Sequence, residues 1–188
     1  MRNSTATRER IERKAMALFV EKGVSETTIR DIAGSAEVAE GALYRHYRSK
    51  DELILALFSH HYAVLAATLD EVQAAQASIR DKLRAMITEC CRLFDTDPIR
   101  FRFMLLVQHH SLHRLDGALA SPVEVLRTVL AAAMERGEIP KREPDLAAAL
   151  VMGVIVQPAT FKTYGRIPGP MLPLAETLTE ACWHLLQA

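Results

Sequence analysis

Residues 27–53 read TTIRDIAGSAEVAEGALYRHYRSKDEL, and this stretch decides the fold. Thr28 followed by Asp31 forms a pattern that starts helices, and Ser49 followed by Glu52 repeats it. Between these two caps the chain has room for a helix, a tight turn and a second short helix. The sequence therefore predicts a helix-turn-helix, with a third helix beginning at the second cap.

A support helix is predicted upstream of this motif, from Arg8 to Lys22. Its apolar residues recur at helical spacing on one face, and Gly23 fits the position that follows a helix C-terminus. These apolar residues are Ile11, Ala15, Leu18 and Phe19. An ordinary three-helix bundle without a nucleic-acid partner would have the same spacing, so the helix pattern alone leaves the function open.

The charge distribution favours a nucleic-acid partner over a plain bundle. The whole protein has 23 Lys and Arg against 23 Asp and Glu, a formal net charge of zero. Residues 1–50 alone carry ten Lys and Arg against seven Asp and Glu, and residues 41–50 carry no carboxylate. A local positive surface of this kind attracts phosphates through counterion release.

Two stretches carry a family resemblance, TTIRDIA at residues 27–33 and GALYRHYRSKDELILALF at residues 41–58. The second combines LY, an aromatic residue three positions later, and SKDEL. With these motifs, residues 8–58 resemble the TetR/AcrR family of transcriptional regulators. The resemblance implies an all-α fold of about nine helices. We expect a helix-turn-helix DNA-binding domain over residues 1–52 and a helical ligand-binding and dimerisation domain over residues 53–188.

The resemblance also implies roles for eight residues at the DNA. Three of them would bond phosphates, namely Thr28, Tyr44 and Lys50. Five others would lie on the exposed face of the recognition helix, where base edges are read: Ala39, Glu40, Gly41, Arg45 and His46. Leu43 and Tyr47 are expected to be structural.

The turn departs from the family pattern at two positions. Glu37 stands where the family usually has Gly, and a left-handed conformation there would cost on the order of 1 kcal/mol. Ala39 stands where the family has Ser, and loss of that N-cap costs about 1 kcal/mol. Glu40 partly offsets this through the helix dipole, and it could instead accept a hydrogen bond from a cytosine amino group.

The composition of the chain favours a helical protein in a reducing compartment. Of its 188 residues, 49% are hydrophobic and 6% aromatic, and no long alternating run predicts a strand. Cys90, Cys91 and Cys182 are odd in number and lack CxxC spacing, which favours the cytoplasm. The longest apolar run, residues 146–156, is short of the ~20 residues that span a bilayer. We therefore expect no membrane partner, and the polar and charged residues 1–14 predict no signal peptide.

Caps and prolines predict the remaining helices, with starts at Ser78, Asp97–Pro98, Ser121–Pro122 and Pro144. Pro158 is expected to kink or end the helix in which it lies. The run LAAALVMGVIV at residues 146–156 is apolar nearly all round, so it lies either inside the bundle or against a second subunit. The resemblance implies a homodimer formed by this helix and the last one.

A small-molecule site is predicted around the helix that follows Pro98, because apolar walls with a few polar groups suit a ligand. The candidate lining residues are Cys91, Phe94, Phe101, Met104, Leu105, Gln108, His109 and Met152. The alternative is that these side chains simply fill the core. That alternative would leave a DNA-binding module without a ligand.

Metal binding and catalysis are weaker hypotheses. His109 and His113, with His110 between them, have an i, i+4 spacing compatible with zinc, but a third ligand (His60, His61 or a carboxylate) is not specified. A di-metal enzyme would need paired Glu-x-x-His motifs, and neither a phosphate-binding Gly-rich loop nor a nucleophile elbow occurs.

We expect a non-enzymatic, ligand-responsive repressor without a metal or cofactor. It would bind a palindromic operator in double-stranded DNA as a dimer. A small apolar or amphipathic effector would release it. A metal-dependent helical-bundle enzyme is the least favoured alternative.

Overall fold

The computed structural model describes residues 2–111 and 120–188, with side chains for residues 5–108 and 120–188. Within these ranges there are nine α-helices, one short 3-10 helix and no strand. This confirms the predicted all-α class. The helices are α1 (Arg2–Lys22), α2 (Ile29–Ser35), α3 (Glu40–Tyr44), α4 (Lys50–Ala74), α5 (Ile79–Thr96), α6 (Pro98–Ser111), α7 (Pro122–Glu135), α8 (Pro144–Thr163) and α9 (Ala175–Gln187), with the 3-10 helix at Leu172–Leu174.

The chain divides into two compact units. The first takes its described residues from Met1–His61 and Ile99–Leu119, and the second from Tyr62–Pro98 and Ala120–Ala188. The first unit therefore includes α6, which is distant from the other N-terminal helices in sequence. Helix α4 contributes residues to both units. The boundary expected between residues 52 and 53 stays a prediction.

The core of the first unit forms on the inner face of α1. Ile11, Ala15 and Phe19 are completely buried, as their helical spacing predicts. The rings of Phe19 and Phe103 stack with their centroids 6.0 Å apart, which brings α6 against α1. The support helix begins at Arg2, six residues before the predicted start at Arg8.

The second unit is a bundle in which α5 packs against α7, α8 and α9. The predicted starts are confirmed by their hydrogen bonds: the Ser78 hydroxyl accepts from the Asp81 N–H at 3.1 Å, and the Ser121 hydroxyl from the Val123 N–H at 3.2 Å. Pro98, Pro122 and Pro144 are each the first residue of a helix, where a missing N–H costs nothing.

Of the two outcomes expected at Pro158 in α8, a kink or a helix end, the helix end does not occur. The helix continues to Thr163 with Pro158 inside it. Residues on both sides of the proline, Ile155, Ala159 and Lys162, are buried. These buried contacts stabilise the helix beyond the proline, although the proline removes one backbone hydrogen bond.

Two buried or half-buried charged groups hold the connection between α8 and α9. The Lys162 ammonium donates to the carbonyl oxygens of Pro168 at 3.0 Å and Gly169 at 2.8 Å. The Asp95 carboxylate accepts from the N–H groups of Met171 at 2.7 Å and Leu172 at 2.8 Å. The backbone of the connection is therefore fixed by one cation and one carboxylate.

Two helices, α4 and α8, are long and apolar enough to cross a membrane by length and composition alone. A core helix of a protein that does not enter a membrane can meet the same criteria of length and composition. In α8 only 33% of the most apolar window is buried. This low burial leaves an apolar surface on α8 that the rest of the described chain does not cover.

Candidate nucleic-acid interface

The first helix of the predicted motif, α2, begins with the capping box that its sequence indicates. The Thr28 hydroxyl accepts from the Asp31 N–H at 3.1 Å, and the Asp31 carboxylate accepts from the Thr28 N–H at 2.9 Å. The Thr28 hydroxyl also donates to that carboxylate at 2.8 Å. These hydrogen bonds hold the pKa of Asp31 below its usual value. The Thr28 hydroxyl already donates its proton to Asp31. To donate to a DNA phosphate, it would have to give up that hydrogen bond.

The turn after α2 places Glu37 in the left-handed region, with φ of 53°. This confirms that the position needs a conformation that glycine adopts more easily. Two backbone hydrogen bonds close the turn, from the Glu37 N–H to the Gly34 carbonyl at 3.1 Å and from the Val38 N–H to the Ala33 carbonyl at 3.0 Å. The tight turn is thus formed at the expense of backbone strain at Glu37.

The second helix of the motif, α3, has five residues and starts without a side-chain cap. Ala39 has the extended backbone of an N-cap, with φ of −68° and ψ of 146°, but makes no side-chain hydrogen bond. On the inner side, Leu43 is completely buried and Tyr47, just beyond the helix, is 3% exposed. This agrees with the structural role predicted for both residues.

Most residues predicted to meet DNA lie on the outer side of this helix. Tyr44 is 52% exposed, and His46 is half-buried. The remaining candidates on this helix are also exposed: Ala39, Glu40, Gly41 and Arg45. Their exposure makes them available to a duplex, and their contacts with DNA stay a prediction.

Lys50 has a structural contact that its sequence position does not reveal. Its ammonium donates to the carbonyl oxygens of Val24 at 2.8 Å and Thr27 at 2.9 Å. Because an ammonium has three N–H donors, one remains for a phosphate. The first turn of α4 is thereby tied to the loop before α2.

The capping box predicted at Ser49 forms in a modified way. The Ser49 hydroxyl accepts from the Glu52 N–H at 3.1 Å. The Glu52 carboxylate accepts from the Arg48 N–H at 2.7 Å, one residue earlier than the box requires. Both bonds still satisfy N–H groups at the start of α4.

A three-residue network joins α1 to the segment after α3, and sequence reasoning missed it. Arg8 Nε donates to Glu12 at 2.7 Å and to the Tyr47 hydroxyl at 3.2 Å, and the Tyr47 hydroxyl donates to Glu12. The Arg8 guanidinium also lies 5.7 Å from the centre of the Tyr47 ring. The signal in the sequence was a polar aromatic, Tyr47, at a position predicted to be core.

The ionisation of this network follows from burial and hydrogen bonding. Burial, assisted by Glu12, raises the pKa of Tyr47 to about 12. Although burial raises the pKa of Glu12, its bonds from Tyr47 and Arg8 outweigh this and leave that pKa below its usual value. At neutral pH the network therefore holds a neutral phenol between a carboxylate and a guanidinium.

The residues predicted to line a ligand pocket divide between the two units. Phe101, Met104, Leu105 and Gln108 are in the first, and Cys91, Phe94 and Met152 are in the second. Four of the seven are buried: Cys91, Phe94, Phe101 and Met104. The His109 side chain is outside the described residues. The pocket stays a prediction.

The histidines suggested as a metal site fall mostly outside what the structure describes. His113 and the side chains of His109 and His110 are not among the described residues. His60 and His61 lie on α4 with their ring centroids 5.0 Å apart. Within the described ranges no group of three or more His, Cys, Asp or Glu side chains is placed to hold a metal ion.

The N-terminal part of the chain is similar in sequence to known proteins. Residues 11–57 match the model of the bacterial regulatory proteins of the tetR family. The putative mycofactocin biosynthesis transcriptional regulator MftR of Mycobacterium tuberculosis is 32% identical over 101 residues, 54% of this chain and 50% of the relative. The transcriptional repressor KstR2 of Rhodococcus jostii is 32% identical over 81 residues, 43% of this chain and 40% of the relative. The chain matches half or less of the length of these relatives.

Solved structures extend the likeness of fold to nearly the whole chain. The fatty acid degradation regulator FadR from Bacillus halodurans has a TM-score of 0.77 at 16% identity, covering 93% of this chain and 96% of that one. FadR from Bacillus subtilis in complex with stearoyl-CoA has a TM-score of 0.76 at 20% identity, with 93% and 96% covered. Fold and motif define an all-α helix-turn-helix protein. Over residues 11–57 the chain resembles the tetR family of bacterial regulatory proteins.

Proposed function

We propose that this protein is a cytoplasmic DNA-binding transcriptional regulator that acts as a ligand-responsive repressor. The observation that carries the proposal is the outer face of α3. Tyr44 and Arg45 are exposed there, while Leu43 and Tyr47 anchor the same segment in the core. A short helix that is buried on one face and exposed on the other can enter the major groove with its exposed face. The carboxylate-free segment at residues 41–50 supplies the attraction to phosphates.

We further propose that the repressor is a homodimer formed through α8 and α9. These two helices pack side by side. Leu146, Leu150 and Phe161 on α8 are 53%, 39% and 40% exposed, and their spacing puts them on one helix face. The face also carries the exposed Gln157, and its apolar majority indicates a partner surface. Two copies related by a two-fold axis would present two motifs to a palindromic operator, at half-sites roughly 34–36 Å apart.

The proposed effector is a small apolar or amphipathic molecule bound by the helical part of the chain. The stearoyl-CoA complex of FadR from Bacillus subtilis supports this chemical class for a protein of the same fold. Binding would favour a conformation in which the two recognition helices no longer match successive grooves. Helix α4 runs from Lys50 at the motif into the second unit and is the proposed route of transmission.

Selection from a pool of random duplexes, followed by mobility shift and sedimentation, tests the DNA proposal. We expect a near-palindromic site and a complex of two chains per duplex. A chain that selects no sequence, or that sediments as a monomer at micromolar concentration, would contradict it.

A thermal-shift screen that includes stearoyl-CoA tests the effector proposal. We expect a stabilising ligand that also lowers operator affinity. Operator binding that no ligand in the screen changes would instead favour a DNA-binding module with a filled core.

A further inference from the structure

We infer that Arg8 is an additional phosphate-contacting residue and that Glu12 and Tyr47 hold it in position. This inference rests on the proposed DNA-binding function and extends its contact surface from α3 and α4 to α1. It is carried by the network that joins these three side chains. Three properties of Arg8 support it: its free donors, its location and its fixed conformation.

The hydrogen bonds of Arg8 leave its outer edge available. Its Nε donates to Glu12 at 2.7 Å and to the Tyr47 hydroxyl at 3.2 Å. Neither terminal guanidinium nitrogen has a hydrogen-bond partner within the described part of the chain. These two nitrogens form the fork that matches phosphate oxygens.

In the ion pair of Arg8 and Glu12, the cation is more exposed to solvent than the carboxylate. The Arg8 side chain is 55% exposed, whereas the Glu12 side chain is 22% exposed. An anion approaching from solvent would therefore meet the guanidinium first. Glu12 then acts as a support for the cation and is shielded by it.

The contact with Tyr47 brings Arg8 next to the basic segment that holds several of the proposed DNA-contacting residues. Tyr47 lies in the segment 41–50, which holds Arg45, Arg48 and Lys50 and no carboxylate. The Arg8 guanidinium lies 5.7 Å from the Tyr47 ring centre. A cation that is remote in sequence is thus added to the basic segment.

Fixing the side chain in advance strengthens such a contact. A free arginine loses much rotamer freedom when it binds, and preorganisation reduces this loss. The Tyr47 phenol is suited to the task because it donates to Glu12 and accepts from Arg8 at once.

The first experiment compares Arg8→Gln with Arg10→Gln in the full chain. Arg10 is exposed on the same helix, but lies about 200° further around it, so this control removes the same charge elsewhere. Affinity is measured for the selected operator and for an unrelated duplex of equal length, at several salt concentrations. The selected operator must first be shown to bind the unaltered chain.

Arg8→Gln should weaken binding to both duplexes by a similar factor, since phosphates carry no base identity. The slope of log affinity against log salt should fall by about 0.9 for each phosphate that the variant no longer neutralises. Arg10→Gln should change the slope by less. Equal effects of the two substitutions would overturn the inference.

The second experiment tests whether Tyr47 acts through Arg8. Tyr47→Phe keeps the ring and removes the hydroxyl, and it is measured alone and combined with Arg8→Gln. We expect it to weaken DNA binding in the unaltered background and to have no further effect when Arg8 is already replaced. A purely structural role would instead give the same loss in both backgrounds and would overturn the positioning role.

Failure of this inference and failure of the proposed function give different results. If the unaltered chain selects no duplex, the DNA-binding function fails. If it binds its operator and Lys50→Ala reduces the salt slope while Arg8→Gln does not, only the role of Arg8 fails. Melting temperatures of all variants identify any that are simply unfolded.

Discussion

The Lys50 ammonium lies 2.9 Å from the carbonyl oxygen of Thr27, at the residue that precedes the N-cap of α2. The same ammonium bonds the Val24 carbonyl at 2.8 Å. The start of α4 and the entry to the helix-turn-helix are therefore joined by one side chain. A residue that the family resemblance predicts to bond a phosphate therefore also bonds the backbone of the motif that presents it.

Lys50→Ala should therefore have two effects. Binding should weaken for all sequences, and the salt slope should fall by about 0.9 for each phosphate that Lys50 neutralises. The melting temperature should also fall, because two carbonyl groups lose a charged donor. Calorimetry beside mobility shift measures both effects. An unchanged melting temperature would mean that the hydrogen bonds to Val24 and Thr27 add nothing to stability.

Arg45→Ala should relax the sequence preference at one base pair, by about 1–3 kcal/mol if the contact is bidentate to guanine. Tyr44→Phe should instead weaken binding evenly, because its hydroxyl is predicted to bond a phosphate. Competition among single-base variants of the operator separates the two patterns. An even loss for Arg45→Ala would reassign that residue to the phosphate backbone.

Glu37→Gly should raise the free energy of unfolding by roughly 0.5–1 kcal/mol. This is the balance between relief of a left-handed residue and the greater freedom of glycine in the unfolded chain. Glu37→Gln removes the charge but retains the strain, so it should leave stability nearly unchanged. Denaturant titration of the three proteins measures the difference. A gain from Glu37→Gln equal to that from Glu37→Gly would assign the effect to charge.

Alkaline pH should reduce the contribution of Tyr47 to the free energy of unfolding. Its pKa in the folded protein is about 12, above the ordinary value of 10.0. Between these values the unfolded chain releases the phenol proton while the folded protein retains it. The free energy of unfolding should therefore fall as pH rises through this window, by roughly 2 kcal/mol for this group. The stability gap between the unaltered chain and Tyr47→Phe should narrow over the same range, and a constant gap would contradict the shift.

Leu150→Arg should convert the proposed dimer into monomers, because it places a charge on the apolar face of α8. Leu106→Arg is the matched control, since Leu106 is also an exposed leucine, at 47% against 39% for Leu150. Sedimentation velocity at micromolar concentration distinguishes the two. Dimers that persist in Leu150→Arg would move the proposed interface away from this face.

Features decided by near neighbours were predictable from the sequence. The caps at Thr28, Ser78 and Ser121 each use a hydrogen bond that spans two or three residues, so the local sequence contains both partners. The left-handed turn at Glu37 and the uncapped start at Ala39 follow from the same local rules. These positions define the motif and most of its exposed face.

Features decided by distant neighbours were not predictable in this way. Lys50 meets Thr27 across 23 residues, and Arg8 meets Tyr47 across 39. No periodicity or spacing rule relates residues so far apart. The continuation of α8 past Pro158 has the same origin, since buried neighbours outweigh the local preference of proline. The family pattern identified the residues of the candidate interface. The long-range contacts that hold those residues in place are visible only in the folded chain.

The connection between α8 and α9 offers a site for labelling. Lys162 and Asp95 bond backbone atoms of that connection, and Met171 is buried, so its path does not depend on its exposed side chains. Tyr164 is 69% exposed and Arg166 is exposed as well. A cysteine introduced at Arg166 can carry a spin label or fluorophore while both flanking helices keep their positions. In a symmetric assembly the two labels would measure the separation of the chains directly, with and without DNA.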